Sequence, residues 1–168
     1  MERAQIDHTQ TEHAQTDQAQ DYQESMRLSN QLCFPLYAAA RKITGLYTPA
    51  LQPLGLTYTQ YLVLLVLWEE APLSVSGICA RLRLDSGTVS PLLRKLEANG
   101  WITRTRAAED ERVVLIGLTD AGRALQAEAK DVPQQVGSCV RLSPGKALTL
   151  YRLLYEILDE GEAPPEDG

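Results

Sequence analysis

LDSGTVSPLLRKLEANGW, residues 84–101, is the stretch that decides the fold. Val89, Leu92, Leu93 and Leu96 recur at helical spacing and form an apolar stripe, and Ser86, Thr88, Ser90, Arg94 and Lys95 lie beside it. Asp85 or Ser86 can cap the start of this helix, and Asn99-Gly100 supplies a left-handed stop. Local rules alone would begin the helix at Ser90 with Pro91 as its first residue. The expectation is a start near Ser86, with Pro91 tolerated early.

Working outward, residues 73–82 read as a short helix with Ser74 as cap and Val75, Ile78 and Leu82 as its stripe. Cys79 sits beside that stripe and reads as a small core thiol rather than a reactive one. Two short helices joined this tightly, the second carrying polar and basic side chains, match a helix-turn-helix. On the other side, residues 101–106 and 113–118 are β-rich runs separated by the polar tip AAEDER, a hairpin that reads as a wing.

Charge supports the same reading. The chain carries a formal charge of −6, which opposes indiscriminate binding to phosphate, so a nucleic-acid module needs local positive charge. Residues 81–112 supply it, with seven cationic side chains (Arg81, Arg83, Arg94, Lys95, Arg104, Arg106 and Arg112) against five carboxylates.

Residues 28–47, LSNQLCFPLYAAARKITGLY, form a first helical pattern with Ser29 as its cap and Pro49 as its stop. Pro35 lies inside it and cannot donate to the carbonyl of Gln31, so a bend or a late start near Cys33 is expected. A second helix, capped by Thr57, runs to about Glu70. After the wing, Thr119 caps a long helix that Pro133 bends or interrupts, Cys139 follows in a polar turn, and Ser143-Pro144 begins a last helix through Leu158.

The 168 residues, 44% of them hydrophobic, suit one globular domain. The longest apolar run is too short to cross a bilayer and the start of the chain lacks a signal-peptide pattern, so a cytoplasmic location is expected. The three cysteines have no metal-ligand spacing, and an odd number argues against a structural disulfide framework. No metal and no cofactor is expected; His8 and His13 belong to a polar, low-complexity start and are assigned no site.

The order of elements, together with DERVVLIGLTDAG, resembles the MarR family of winged-helix regulators, whose wing carries an Asp-x-Arg followed by Leu-Thr-x-x-Gly. Here these are Asp110, Arg112, Leu118, Thr119 and Gly122. LCFPLYAAAR, GLTYTQYLVLLVLWE, LDSGTVSPLLRKLE and EDERVV narrow the resemblance to the OhrR-type repressors that respond to organic hydroperoxides. It covers residues 28–158 and departs at Pro35.

The resemblance implies a mainly α fold with a small β-wing. By composition, residues 1–24 are expected to be a disordered polar tail and 161–168 an acidic one, flanking a single domain over 25–160. Within it, 57–118 form a winged helix-turn-helix, and 25–56 with 119–160 form dimerisation helices. It also implies a homodimer on double-stranded operator DNA of inverted-repeat sequence, with no membrane and no enzymatic activity. The helix from Ser86 would enter the major groove and the wing the minor groove. Ser86, Thr88, Ser90, Arg94 and Lys95 are candidate DNA contacts, and Arg112 the contact of the wing tip. Asp110 is expected to orient Arg112 and not to touch DNA, since phosphate repels a carboxylate. Arg104 and Arg106 are phosphate contacts or solvated side chains, with nothing in the residues to choose between them.

At Cys33 the chemistry is that of a thiolate attacking a peroxide oxygen, and free amides in a first helical turn stabilise such an anion. The resemblance implicates Tyr37 and Tyr47 in assisting it. Tyr37 is one turn away, but Tyr47 is fourteen residues on, about 21 Å along a straight helix, and cannot touch its own Cys33. Two first helices crossing antiparallel near residue 40 would bring Cys33 opposite Tyr47 of the other chain. Ala38, Ala39 and Ala40 lie at that crossing, although they could instead pack within one subunit. The two-cysteine relatives link the oxidised cysteine to one near the junction of the last two helices of the other subunit, a place that Cys139 occupies. Two other readings stay open. One is a regulator that binds a phenolic or other aromatic ligand while Cys33 is inert, and the other is a thiol peroxidase.

Overall fold

The computed structural model describes residues 23–108, 110 and 112–158. The histidines, nearly all of the polar start, and the acidic end from residue 161 lie outside these. Two compact units are distinguished, residues 1–45 and residues 46–168.

In the first unit, residues 23–25 are helical, so Gln23 and Glu24, the last two residues of the expected tail, lie in helix. A 3-10 turn, Leu28–Asn30, then precedes helix α1, Cys33–Leu46. Ser29 lies in that turn and does not cap the helix. Pro35 explains the late start. A helix begun near Ser29 would need the amide proton that Pro35 lacks, whereas a start at Cys33 places Pro35 among the first four residues, whose amides have no acceptor within the helix.

Pro49 does not stop a helix either. Tyr47, itself in helical geometry, joins α1 to a four-residue helix, α2, Thr48–Leu51, in which Pro49 takes an early position. A 3-10 turn, Gln52–Leu54, follows and closes on Gly55, whose φ of +68° is the left-handed geometry that glycine tolerates best. Thr57 caps helix α3, Tyr58–Glu70, through a reciprocal pair. The Gln60 amide donates to Thr57 Oγ1 (3.4 Å) and the Thr57 amide donates to Gln60 Oε1 (2.9 Å), satisfying two amides the helix cannot.

Helix α3 is the core of the second unit. Tyr61, Val63, Leu64, Val66 and Leu67 are buried all round it, against Ile78, Leu93, Leu96 and Ile116. Each fully buried aliphatic side chain here contributes about 1.5–3 kcal/mol relative to exposure.

Leu73–Ser74 was expected to open a helix but forms a short strand, β1. Helix α4 is Val75–Leu82 and helix α5 is Ser86–Ala98, with Pro91 inside it as expected. Strands β2, Ile102–Arg106, and β3, Val114–Leu118, form the antiparallel hairpin of the wing, in register from Ile102↔Leu118 to Arg106↔Val114. β1 adds to the other edge of β3 through Leu73↔Ile116 and Ser74↔Leu115, giving the order β1-β3-β2.

Thr119 caps helix α6, Asp120–Glu128, and Pro133 divides the expected long helix by opening helix α7, Val132–Cys139. Cys139 is thus the last residue of a helix rather than part of a free turn. Val132 and Val136 anchor α7 in the core, one turn apart, and this carries the helix through Gly137 and Ser138. Helix α8 is Pro144–Ile157 and has no buried residue. Leu148, Leu150, Tyr151, Leu153, Leu154 and Ile157 are exposed along it, as are Met26, Leu28, Leu32, Phe34 and Tyr37 in the first unit. The architecture is mainly helical with a small three-stranded wing sheet, and among the described residues no single helix is long and apolar enough to cross a membrane.

Candidate nucleic-acid interface and thiol site

The two helices that the sequence assigned to nucleic acid are set by their caps. Ser74 Oγ accepts from the Gly77 amide (3.0 Å), fixing the start of α4. At its end Arg83 adopts a left-handed φ of +52°, which turns the chain within three residues toward α5. Asp85 accepts from the Thr88 amide (2.8 Å) with one carboxylate oxygen and from the Thr88 hydroxyl (2.8 Å) with the other. These bonds hold the Asp85 carboxyl below its ordinary range, the Thr88 hydroxyl contributing most.

Val89, Leu93 and Leu96 seat α5 in the core, which leaves Gly87, Pro91, Arg94, Lys95 and Ala98 facing outward. Pro91 therefore lies on the exposed side. Ser86, Thr88, Arg94 and Lys95 are exposed and Ser90 is half-buried. Thr88 is committed to Asp85, so its hydroxyl serves the cap first.

Five of the seven cations fall into two groups. Arg81 is paired with both Glu69 and Glu70 at the end of α3, so its charge is largely compensated. Arg104 stands 4.0 Å from Glu97, and Arg112 is held by Asp110, whose carboxylate accepts from the Arg112 amide (3.0 Å) and from Nε (3.1 Å). Arg94 and Lys95 have no ion pair among the described residues. The guanidinium of Arg112 holds the Asp110 carboxyl below its usual range while staying 91% exposed itself. This is the arrangement expected of a carboxylate that orients an arginine. The Val113 amide donates to the Asp110 carbonyl (2.9 Å).

An open cleft of about 320 Å³ lies between the start of α4, the start of α5 and the wing, lined by Ser74, Ser76, Ser86, Arg112 and Val113 among others. Ser76 escaped the sequence reading because its place beside Ser86 and Arg112 depends on β1 joining the wing sheet, a pairing between segments some forty residues apart.

Trp101, Thr119 and Gly122 bind the wing to α6. The Thr119 amide donates to the Trp101 carbonyl (3.1 Å), the Thr119 hydroxyl to the Gly100 carbonyl (2.7 Å), and Trp68 Nε1 to the Gly122 carbonyl (2.9 Å). The Leu-Thr-x-x-Gly motif is therefore a structural joint.

Cys33 lies in the first unit, and Cys79 and Cys139 lie in the second. Cys33 is the first residue of α1 and is exposed; Cys139 is exposed at the end of α7, where its Sγ donates to the Gln135 carbonyl (3.4 Å); Cys79 is half-buried against the core. All three are free thiols. Tyr37, one turn beyond Cys33, accepts a hydrogen bond from Arg41 (3.1 Å). Tyr47 belongs to the second unit and packs on Tyr58 (ring centroids 4.7 Å apart) and Tyr61 (6.0 Å). Burial, and then the neighbouring Tyr47, push the phenols of Tyr58 and Tyr61 above their ordinary range, so both stay protonated near neutral pH. Tyr58 and Tyr61 are not legible as neighbours of Tyr47 in the sequence, because their approach depends on the 76° bend between Leu54 and Tyr58.

Residues 45–129 match the family model described as transcriptional regulator SarA/Rot. The chain is 45% identical to the organic hydroperoxide resistance transcriptional regulator of Bacillus subtilis, over 81% of this chain and 92% of that one. Among solved structures it is similar to reduced AbfR bound to DNA, with 39% identity, a TM-score of 0.68, and coverage of 82% of this chain and 96% of the other. The disulfide form of AbfR matches with 39% identity and a TM-score of 0.57, over 84% and 99%. A MarR-family regulator from Rhodococcus matches with 28% identity and a TM-score of 0.70, over 80% and 97%. With its capped helix pair, its three-stranded wing and these relatives, the chain belongs to the MarR/SarA family of winged-helix, DNA-binding transcriptional regulators.

Proposed function

We propose that this regulator is a repressor that senses organic hydroperoxides through Cys33. The observation that carries the reading is the place of Cys33, an exposed thiol at the first position of α1 with the phenol of Tyr37 one turn on. Free amides at the start of a helix favour a negatively charged sulfur, which is the nucleophile toward peroxide. The similarity to the Bacillus subtilis regulator supports an organic hydroperoxide as the oxidant. Exposed Leu32 and Phe34 beside Cys33 suit an apolar substituent.

In the proposed reaction the thiolate attacks the terminal peroxide oxygen. The O–O bond breaks, and the alkoxide leaves and takes up a proton as the alcohol. The resulting sulfenic acid condenses with the Cys139 thiol of a second copy, releasing water and forming a disulfide. The exposed position of Cys139 at a helix end favours its reaction, and the existence of a disulfide form of AbfR supports such a route. The exposed apolar side chains of α8 and of residues 26–37 are the surfaces through which two copies would pair, burying what is otherwise left in water. A two-fold dimer would present two α5 helices and two wings to an inverted repeat in operator DNA. Ser86, Ser90, Arg94 and Lys95 would lie toward the major groove and Arg112 toward the minor groove, with Arg104 and Arg106 along the backbone. Oxidation would draw the closing helices together and move the two modules out of register with the DNA.

The test is operator binding titrated with cumene hydroperoxide and with hydrogen peroxide, for the wild type and Cys33→Ser. The wild type should release DNA at lower concentrations of the organic peroxide, and Cys33→Ser should stay bound. A Cys33→Ser protein that still leaves DNA would favour a ligand-responsive regulator with an inert Cys33.

A further inference from the structure

We infer that Arg41 is a positioning residue of the thiol sensor, acting on Cys33 through Tyr37; the inference rests on the peroxide-sensing reading of Cys33. Cys33, Tyr37 and Arg41 follow one another at four-residue intervals along α1 and so share one face. Side chains on a helix lean toward its N-terminus. That lean would set Tyr37 toward the turn that carries Cys33, and Arg41 reaches Tyr37.

Two measurements fix that second contact. Arg41 Nη1 donates to Tyr37 Oη at 3.1 Å, and the guanidinium carbon lies 5.7 Å from the Tyr37 ring centroid. Arg41 has no carboxylate partner among the described residues, so its charge is directed at the phenol alone. All three residues lie in the first unit.

The consequence is chemical. Arg41 occupies a lone pair of Tyr37 Oη, which leaves the phenolic proton as the group's free donor. A charged donor on the oxygen also polarises that O–H bond and strengthens what it donates. When the Cys33 thiolate attacks the terminal oxygen of an organic hydroperoxide, the S–O bond forms and the O–O bond breaks. The electron pair leaves on the alkoxide oxygen, where Tyr37 delivers its proton. Water then returns a proton to the phenolate, whose charge Arg41 balances in the interval. Sulfur is oxidised from thiolate to sulfenic acid and the peroxide is reduced to alcohol, and the hydroxide that water leaves is neutralised by the proton released when the Cys33 thiol ionised.

The experiment measures the rate at which cumene hydroperoxide oxidises Cys33 in the full chain, read as the dimedone adduct on the Cys33 peptide. It uses the wild type, Arg41→Met, Arg41→Gln, Arg41→Lys, Tyr37→Phe and the Tyr37→Phe/Arg41→Met pair. Operator binding by each reduced protein reports that the fold is intact. Arg41→Met and Arg41→Gln should slow oxidation about tenfold, a fraction of what a positioned proton donor supplies. Arg41→Lys should recover most of the rate, and Arg41→Met should add less than about a twofold loss once Tyr37 is phenylalanine. A wild-type rate in Arg41→Met or Arg41→Gln overturns the inference, and so does an equal loss with and without the Tyr37 hydroxyl. A wild type that forms no adduct at Cys33 removes the sensing reading itself, a result separate from any behaviour of Arg41.

Discussion

The carbonyl oxygen of Trp101 occupies the space that a β-carbon on Gly122 would need, so the wing and α6 meet with no room for a side chain between them. The same glycine is held on its other side, where Trp68 Nε1 donates to its carbonyl. Gly122→Ala must push β2 away from α6 or break these bonds. The expected cost is about 1–3 kcal/mol or more, as for other overpacked sites. It should appear as a lower denaturation midpoint with an unchanged dependence on denaturant.

Asp85 makes the start of α5 dependent on pH. Its carboxyl titrates below the ordinary 3.8 when folded, so the ionised form favours the native state. That stabilisation is complete above 3.8 and is lost as pH falls through the lower folded value. Asp85→Ala should therefore melt at a lower temperature than the wild type near neutral pH, with the gap closing only in acid below 3.8. Melting curves with a constant gap across that range would show that the cap does not act through its charge.

Arg94 and Lys95 are exposed on the outer side of α5 and lack ion pairs among the described residues. Neutralising a cation that meets phosphate reduces the counterions released on binding. Lys95→Ala should weaken operator and non-operator DNA alike and reduce the slope of log K against log salt by about 1. An Arg94→Ala protein that loses about 1–3 kcal/mol on operator alone would identify Arg94 as a reader of bases.

Arg112 and Asp110 predict an ordered pair of effects on the wing. Arg112→Ala should reduce specific operator affinity by about 1–3 kcal/mol. Asp110→Asn, which loosens the arginine without removing it, should cost less, and the double variant should match Arg112→Ala alone. Additive losses in a binding titration would give Asp110 a role of its own.

For Cys139, exposed at the end of α7, a disulfide-linked dimer should appear on non-reducing gels after hydroperoxide treatment and be absent in Cys139→Ser. Only monomer from the oxidised wild type would leave the sulfenic acid to a small thiol.

What was legible in the sequence was local. Thr57, Ser74, Asp85 and Thr119 each sit before an apolar stripe, and each caps the helix it announces. The wing was readable from its alternating runs and polar tip, and the tolerance of Pro91 from the length of its helix. Misreadings came where distant packing or a proline's place in a turn decided the outcome. Leu73–Ser74 is a strand only because β3 lies beside it. Pro49 opens a helix instead of stopping one, since a missing amide proton costs little at a helix start, whereas the late start that Pro35 imposes at Cys33 is the one expected. The candidate site divided the same way. Asp110 and Arg112 are neighbours in sequence and their pairing was foreseen. The company of Tyr47 was not, because it depends on the 76° bend between Leu54 and Tyr58, closed by the left-handed Gly55, that brings Tyr58 and Tyr61 against its ring.

Strand β1 is only two residues long, yet Ser74 pairs with Leu115 of the wing and caps α4 with the same residue's hydroxyl. A displacement of the hairpin is therefore transmitted directly into the first turn of the helix pair. Wing and helices keep a constant separation, like the jaws of a fixed gauge. A signal arriving from elsewhere in the protein has to carry this gauge as a whole, and what changes at the DNA is where it stands, not what it measures.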